Sequence, residues 1–578
     1  MFSPLLLVGA LAVSSGTSPV PLDLETLSHS DLTAAIDALA SSHPHASKSL
    51  VATSRGGRLV EAITLAPDGA ALDRPALLLV AGLTGAEAFS SSLALHHAQA
   101  LAAGYGQDDA ITAFLDRWTV HVIPRVNPDA VESFYIAPRI EGAATGRGVD
   151  DDRDGVQGED PLQDLNADGL ITWMRYKDPE GTWLPDPTDG RAMVEADTSE
   201  GERGEWKLVR EARDLDGDDE VGEDGALNAV VNHNFSAGWE EHQDEVGLWP
   251  GDEPEVRGLM EFVLAHKNLV QAVVYGEQGN LVKAPDSVAD DAPAKMRVPV
   301  WGIRKSDATA LERIAERYRD LTENETEGAV MQPGSFQRWA YEHRGLLVAC
   351  AQPWGLPLEV EQDEGADEDS DSDTSEEAEE PEEAEEVEEV EEVEEADPSD
   401  DAKNLAWIDA NPAEAWRFDA WESFEHPELG TVEIGGFAPF ARTEPTADER
   451  ADLAAKHFEW FLTLADDLPM LEIARFEKEQ LGEGVWRVEL VLENTGRSAL
   501  QTRSMEMTRT VRPAKVALVL PEGASILAGQ VQSTVQNLDP VDGRFEQTWL
   551  VLASASTDIR IEIDTDHAGD LAAIAEVK

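Results

Sequence analysis

The chain has 578 residues, enough for two or three domains around a large core. Its 116 acidic residues against 44 basic ones leave a formal charge of −72 at pH 7. That balance excludes a nucleic-acid-binding protein and one that adsorbs to anionic membrane, and it suits cation binding or a saline surrounding. The single cysteine, Cys350, excludes an intramolecular disulfide.

Residues 1–18 carry a short apolar core, Leu5 to Val13, followed by small residues. This resembles a secretory signal peptide without the usual basic start and predicts export; a buried N-terminal strand is the alternative. No later apolar run reaches the length of a membrane span. Residues 19–466 read as one α/β domain. Leu32, Ile36 and Leu39 lie at helical spacing over 30–40, behind a cap at Ser30. Leu59 to Leu65 and Ala76 to Val80 read as strands. The second is a continuous apolar run that stops in LTGAEAF, where Gly82 and Gly85 precede a lone acidic residue, Glu87. A buried strand ending in a Gly-rich turn is where α/β proteins place chemistry. Glu87 to about Ala103 reads as a helix and Thr119 to Ile123 as a strand entering PRVNPDA. Beyond a long polar insertion, Val270 to Tyr275 is a strand and 307–321 a helix. Gly345 to Cys350 is a further strand, and 447–465 a further helix. Strands alternating with helices predict the α/β class.

The polar insertion, 147–227, holds three segments of one spacing. The first is DDDRDGVQGED, with Asp150, Asp152, Asp154, Glu159 and Asp160. The second is DLNADGLIT, with Asp164, Asn166 and Asp168. The third is DLDGDDEVGED, with Asp214, Asp216, Asp218 and Glu223. Oxygen ligands at positions 1, 3 and 5 of a tight loop converge on one point, and such hard donors select calcium. The flanking helices and the position-12 glutamate of a full EF-hand are absent, so the expectation is structural ions that order the insertion, not a calcium switch. The alternative is a solvated acidic loop. A second insertion, 359–403, is more than half acidic and predicts a solvated, disordered segment. Residues 467–578 change texture. Trp486, Val488, Leu490 and Leu492 alternate with charged neighbours, as do Ile559, Ile561 and Ile563, which predicts an all-β, sandwich-like domain.

Several segments follow one another in the order of one family: SRGGRLVEAITL, LLLVAGLTGAEAF, VIPRVNPDA, the aspartate loops, VVNHNF, DEPEVRGLMEFVLAH, VVYGEQGN and GSFQRWAYEHRGLLVACAQPWGLP. Over roughly residues 20–465 this set resembles the zinc carboxypeptidases of the carboxypeptidase A type, in the bacterial branch with calcium-like insertions. The resemblance implies a mixed β-sheet flanked by helices. It also implies hydrolysis of a C-terminal peptide bond by a zinc-bound water, with two histidines and a glutamate on the metal and a second glutamate as base.

Carried over residue by residue, the pattern is broken. Glu87 matches the ligand glutamate, but Thr84 and Gly276 stand at the two ligand histidines. Gln352 stands at the general base. Asn232-His233 stands at an Asn-Arg pair, so the arginine that grips the substrate carboxylate is replaced as well. Arg147 corresponds, on a looser alignment, to an upstream substrate arginine. Threonine is a poor zinc ligand, glycine offers none, and glutamine cannot take a proton near neutral pH. Glu87 then becomes a relic ligand, expected to accept from the amides of its helix N-terminus. Three readings follow. The first is an exported, inactive homologue, periplasmic or extracellular, that binds a peptide or cell-envelope fragment in the old cleft and carries structural calcium. The second is an active metallocarboxypeptidase with a rebuilt zinc site drawn from Glu87, His233 and Glu277. The third is a calcium-dependent scaffold or adhesion protein. His96 and His97, further along the helix, read as packing or surface residues.

Overall fold

The computed structural model describes residues 26–69, 74–142, 145, 160–199, 201–215, 217, 221–222, 229–241, 243, 245–292, 302–358, 397–554 and 558–578. The signal-like segment, the core of the acidic insertion and much of the first and third aspartate segments lie outside these residues.

Six strands form the central sheet: β1 (Ala46–Thr53), β2 (Leu59–Leu65), β3 (Ala76–Ala81), β4 (Thr119–Ile123), β5 (Leu269–Tyr275) and β6 (Leu347–Ala351). Their order is β1-β2-β4-β3-β5-β6. β3 to β6 run parallel, and β2 pairs antiparallel with both β1 and β4, so the sheet is mixed. Every residue of β3, β4, β5 and β6 is buried. Continuous apolar strands of this kind need helices on both faces. Helix Ala88–Gly104 covers one part of the sheet, and Lys305–Thr322 packs with Arg450–Thr463 on another.

Helix Ala88–Gly104 is buried on almost all sides. Its Ala and Ser residues allow that close seating. His97 lies in this layer, with Nδ1 2.9 Å from the Leu93 carbonyl and Nε2 3.2 Å from the Tyr275 hydroxyl, among Phe458 and Phe461. Burial lowers the pKa of His96 to about 4 and holds that of His97 well below its usual value. Both are neutral core residues. The first helix spans His29–Ser42, and its cap is Ser28, not Ser30: the Ser28 hydroxyl accepts from the Asp31 amide at 3.2 Å. The strand read from Gly345 begins two residues later, because Gly345, at φ +71°, terminates helix Phe336–Arg344.

The polar insertion contains more order than the sequence reading gave it. Strands 173–177, 183–185, 193–195 and 206–210 join the hairpin 418–426 and 430–437 in a second six-stranded, antiparallel sheet. Arg175 stacks on Trp421 at 4.3 Å and pairs with Glu433 at 2.7 Å, and Arg210 stacks on Trp173 at 4.1 Å. Among the described residues no helix is long and apolar enough to cross a membrane.

The C-terminal region is built from two sheets. One holds 525–528, 544–552, 485–494, 471–482 and 576–577; the other holds 532–535, 514–519, 560–564 and 571–574. Trp486, Val488, Leu490, Ile559, Ile561 and Ile563 meet in one apolar core between them, as their alternation predicts. A short helix, Arg503–Thr508, leaves this region and docks on the α/β domain. Met505 and Val511 belong to the α/β core, and the buried Asp307 accepts from the amides of Arg503 and Ser504 at 2.8 and 3.2 Å and from the Tyr341 hydroxyl at 2.8 Å.

Candidate functional site

The carboxyl ends of β4, β3, β5 and β6 open onto one edge of the sheet. From β3 the chain reaches Thr84 and Glu87, from β4 Asn127 and Asp129, from β5 Gly276 and Glu277, and from β6 Gln352. Sterics shape the turn after β3. Gly82 has φ +61°, and a Cβ there would stand 2.7 Å from Ser91 Oγ. A Cβ on Gly85 would stand 1.9 Å from the Gly142 carbonyl oxygen. Both positions therefore require glycine. The Asn127 amide donates to the Gly82 carbonyl at 2.7 Å, which ties the exits of β3 and β4 together.

Asp129 has a structural place. Its carboxylate accepts from Ser54 Oγ at 2.8 Å, from the Gly56 amide at 2.7 Å and from Arg58 Nη1 at 2.8 Å. It therefore holds the turn between β1 and β2.

Glu87 is 3% exposed, and both of its carboxylate oxygens are sealed from solvent without a hydrogen-bond partner. The expectation that it caps its helix is corrected: no side-chain cap bond forms, because the carboxylate turns toward Gly276. A Cβ built on Gly276 would lie 3.6 Å from Glu87 Oε2 and, chain neighbours apart, within 4 Å of no other atom of the described residues, so a gap stands where a side chain would be. Thr84 is also buried, and its hydroxyl has no partner. Burial first, and then the charges of Glu277 and Glu141, push the Glu87 pKa well above the usual carboxyl range.

Beside this gap, His233, Glu245 and Glu277 line a cavity of about 250 Å³ with Val230, Gln278 and Gln332. His233 Nδ1 lies 3.5 Å from Glu245 Oε2. Burial raises the pKa of Glu277, while the charge of His233 opposes the rise. Asn232 is buried, and its side-chain oxygen accepts from the Phe336 amide at 3.0 Å, so it braces the backbone. Gln352 donates from Nε2 to the Trp354 carbonyl at 3.4 Å. Glu141 and Glu245 escaped the sequence reading. Glu141 accepts from the Phe440 amide at 2.5 Å, a contact between residues 299 apart that no local pattern signals.

The second aspartate segment closes on its own backbone. Asp164 accepts from the amides of Asp168 at 3.2 Å and Gly169 at 2.9 Å, and Asp168 accepts from Leu170 at 2.7 Å. Beneath it, Glu211 accepts from the amides of Leu165 at 3.1 Å and Thr172 at 2.6 Å. In the other segments, Asp160 accepts from the Leu215 amide at 2.7 Å and Asp214 from the Gly217 amide at 2.6 Å. Asp150, Asp152, Asp154, Glu159, Asp216, Asp218, Glu223 and Arg147 lie outside the described residues.

Zinc needs at least three nitrogen, sulfur or carboxylate donors. Thr84, Glu87 and Gly276 supply one carboxylate, one hydroxyl and an empty position, which does not fit zinc. Among the described residues no three His, Cys, Asp or Glu side chains are placed to hold a metal together.

A mixed, largely parallel sheet with its candidate site at the strand ends, followed by an all-β region, defines an α/β protein with a C-terminal β-domain. The sequence model described as zinc carboxypeptidase matches residues 32–154, and zinc is the cofactor of that family. A domain of unknown function, DUF8731, matches residues 470–574. Among solved structures, thrombin activatable fibrinolysis inhibitor is similar at 13% identity and a TM-score of 0.33, over 58% of this chain and 69% of that one. Carboxypeptidase A from Helicoverpa armigera is similar at 12% identity and 0.33, over 57% and 65%. A metallo-carboxypeptidase from Burkholderia cenocepacia is similar at 13% identity and 0.30, over 56% and 60%. The chain thus spans less than two thirds of the last two. No curated protein matches the chain.

Proposed function

We propose that this is a non-catalytic, exported member of the carboxypeptidase-like group, which binds a peptide or cell-envelope fragment in the old cleft. One observation carries the reading: Glu87 faces a gap at Gly276, with Thr84 as its only neighbour at a ligand position. A water bound to zinc is the nucleophile of this family's chemistry, and these residues give zinc one donor. Gln352, at the base position, has no proton-accepting state near neutral pH. The signal-like N-terminus supports export. The 1-3-5 spacing of the aspartate segments supports structural calcium, with Asp164, Asn166 and Asp168 as the central set.

Metal analysis and a peptidase assay test this together. Purified full-length protein should carry no stoichiometric zinc and release no C-terminal residue from peptides, while retaining calcium. One zinc per chain with chelator-sensitive release would overturn the reading.

A further inference from the structure

The former metal position retains the oxygens of Glu87 and Thr84 and has no imidazole donor to zinc. Glu87 contributes two buried oxygens without partners and Thr84 a third. Leaving such groups dry and unpaired is costly, so they point to an occupant that donates hydrogen bonds. The gap at Gly276 lies against Glu87 Oε2, and among the described residues no other atom outside the chain neighbours lies within 4 Å of the missing Cβ. The next residue, Glu277, lines the 250 Å³ cavity with Glu245 and His233.

The charge of the region selects the occupant. The charges that act on Glu87 are those of Glu277 and Glu141, both negative. The arginine that holds a substrate carboxylate in the family is His233 here, and the imidazole lies beside Glu245. A carboxylate ligand would meet repulsion, and a cation attraction. A metal ion would need more ligand atoms than the described residues bring together. A primary ammonium has three N–H donors, which match two carboxylate oxygens and one hydroxyl.

We propose that the emptied zinc position is a recognition site for a primary ammonium group. The ammonium sits against Glu87 and Thr84, its alkyl stem lies in the gap over Gly276, and the rest of the ligand occupies the cavity beside Glu277, Glu245 and His233. The ligand class is an amine-bearing peptide or peptide-like fragment. This rests on the reading that the cleft no longer holds zinc.

Calorimetric titration of the full-length, chelator-treated protein tests it. The probes are N-acetyl-lysine amide, which offers a side-chain amine, alanine amide, which offers an α-amine, and N-acetyl-norleucine amide, which offers the stem without the charge. At least one amine should bind saturably and norleucine should not; the better amine tells which kind of amine the site takes. Glu87→Gln should weaken that binding about 10-fold or more, the worth of a charge-assisted bond. Gly276→Val, which fills the gap and keeps the charge, should abolish it. Circular dichroism and Tm of both variants establish that they fold. Equal binding of norleucine, unchanged affinity in folded Glu87→Gln, or no amine binding at all would overturn the proposal. A parallel zinc titration separates the two levels. Stoichiometric zinc in the wild type defeats the non-catalytic reading and this site with it, whereas no zinc and no amine binding defeats this site alone.

Discussion

Asp129 offers the sharpest test of why pieces of the ancestral motif persist. The structure gives its carboxylate three donors: Ser54 Oγ, the Gly56 amide and Arg58 Nη1. The side chain is 6% exposed, while Arg58 is 28% exposed. Hydrogen bonds to a charged group contribute about 1.5–3 kcal/mol each when buried, and the part-exposed arginine contributes less than about 1 kcal/mol. The Gly56 turn is itself open to water, which reduces its share. Asp129→Ala should therefore cost about 3 kcal/mol, and Asp129→Asn, which retains one acceptor, about 1–2 kcal/mol. Arg58→Ala should cost less than either. At about 2 °C per kcal/mol for a domain of this size, the alanine variant should lower the Tm of the α/β transition by about 6 °C in scanning calorimetry. A loss below about 2 °C, or an asparagine variant as damaging as alanine, would refute the view that Asp129 survives to hold the β1–β2 turn.

Burial raises the pKa of Glu87 in the folded state, so its contribution to stability is complete below the unfolded carboxyl value and falls as pH rises toward the folded one. Glu87→Gln cannot ionise; its Tm should gain on the wild type as pH rises above the ordinary carboxyl range, and a difference constant with pH would contradict the shift. Thr84→His combined with Gly276→His should restore zinc binding, read as one zinc per chain by mass spectrometry after dialysis, while each single variant should not; a double variant without zinc would show that the cleft geometry has drifted. Gly276→Ala should change stability by less than about 1 kcal/mol, because its Cβ would lie 3.6 Å from the nearest atom. Gly85→Ala, whose Cβ would strike the Gly142 carbonyl at 1.9 Å, should cost about 3 kcal/mol or fail to accumulate; equal losses in urea denaturation would contradict the difference between gap and contact.

The sheet was legible because its strands are mostly apolar runs. Leu77 to Val80 and, with Gln271 as its one polar residue before Tyr275, Val270 to Tyr275 could be placed without partners, since strands buried on both faces show little polar alternation. The turn after β3 was legible for a similar reason, as Gly82 and Gly85 answer to local sterics. The orientation of Glu87 was not. Whether a carboxylate caps its own helix or turns to a gap depends on Gly276, a residue almost two hundred positions away. The second sheet was hidden for a related reason. Strands 173–177 and 206–210 are short; the first pairs with 430–437 and the second with the first, so their pattern is weak until the partners are present. Trp173, Trp183 and Trp206 were the available signal, large rings in an otherwise polar stretch. At Asn232 the motif suggested a substrate contact, and the structure adds a hydrogen bond from the Phe336 amide to its side-chain oxygen.

The helix Arg503–Thr508 bears on how the molecule is made. Met505 and Val511 complete an apolar core whose other members lie before residue 469, and Asp307 waits for amides that come almost two hundred residues later. A ribosome delivers the α/β portion first, with that socket unfilled, and only the emergence of the β-domain closes it. Residues 503–511 thus act as a cork that reaches its socket only after the whole α/β portion has been made.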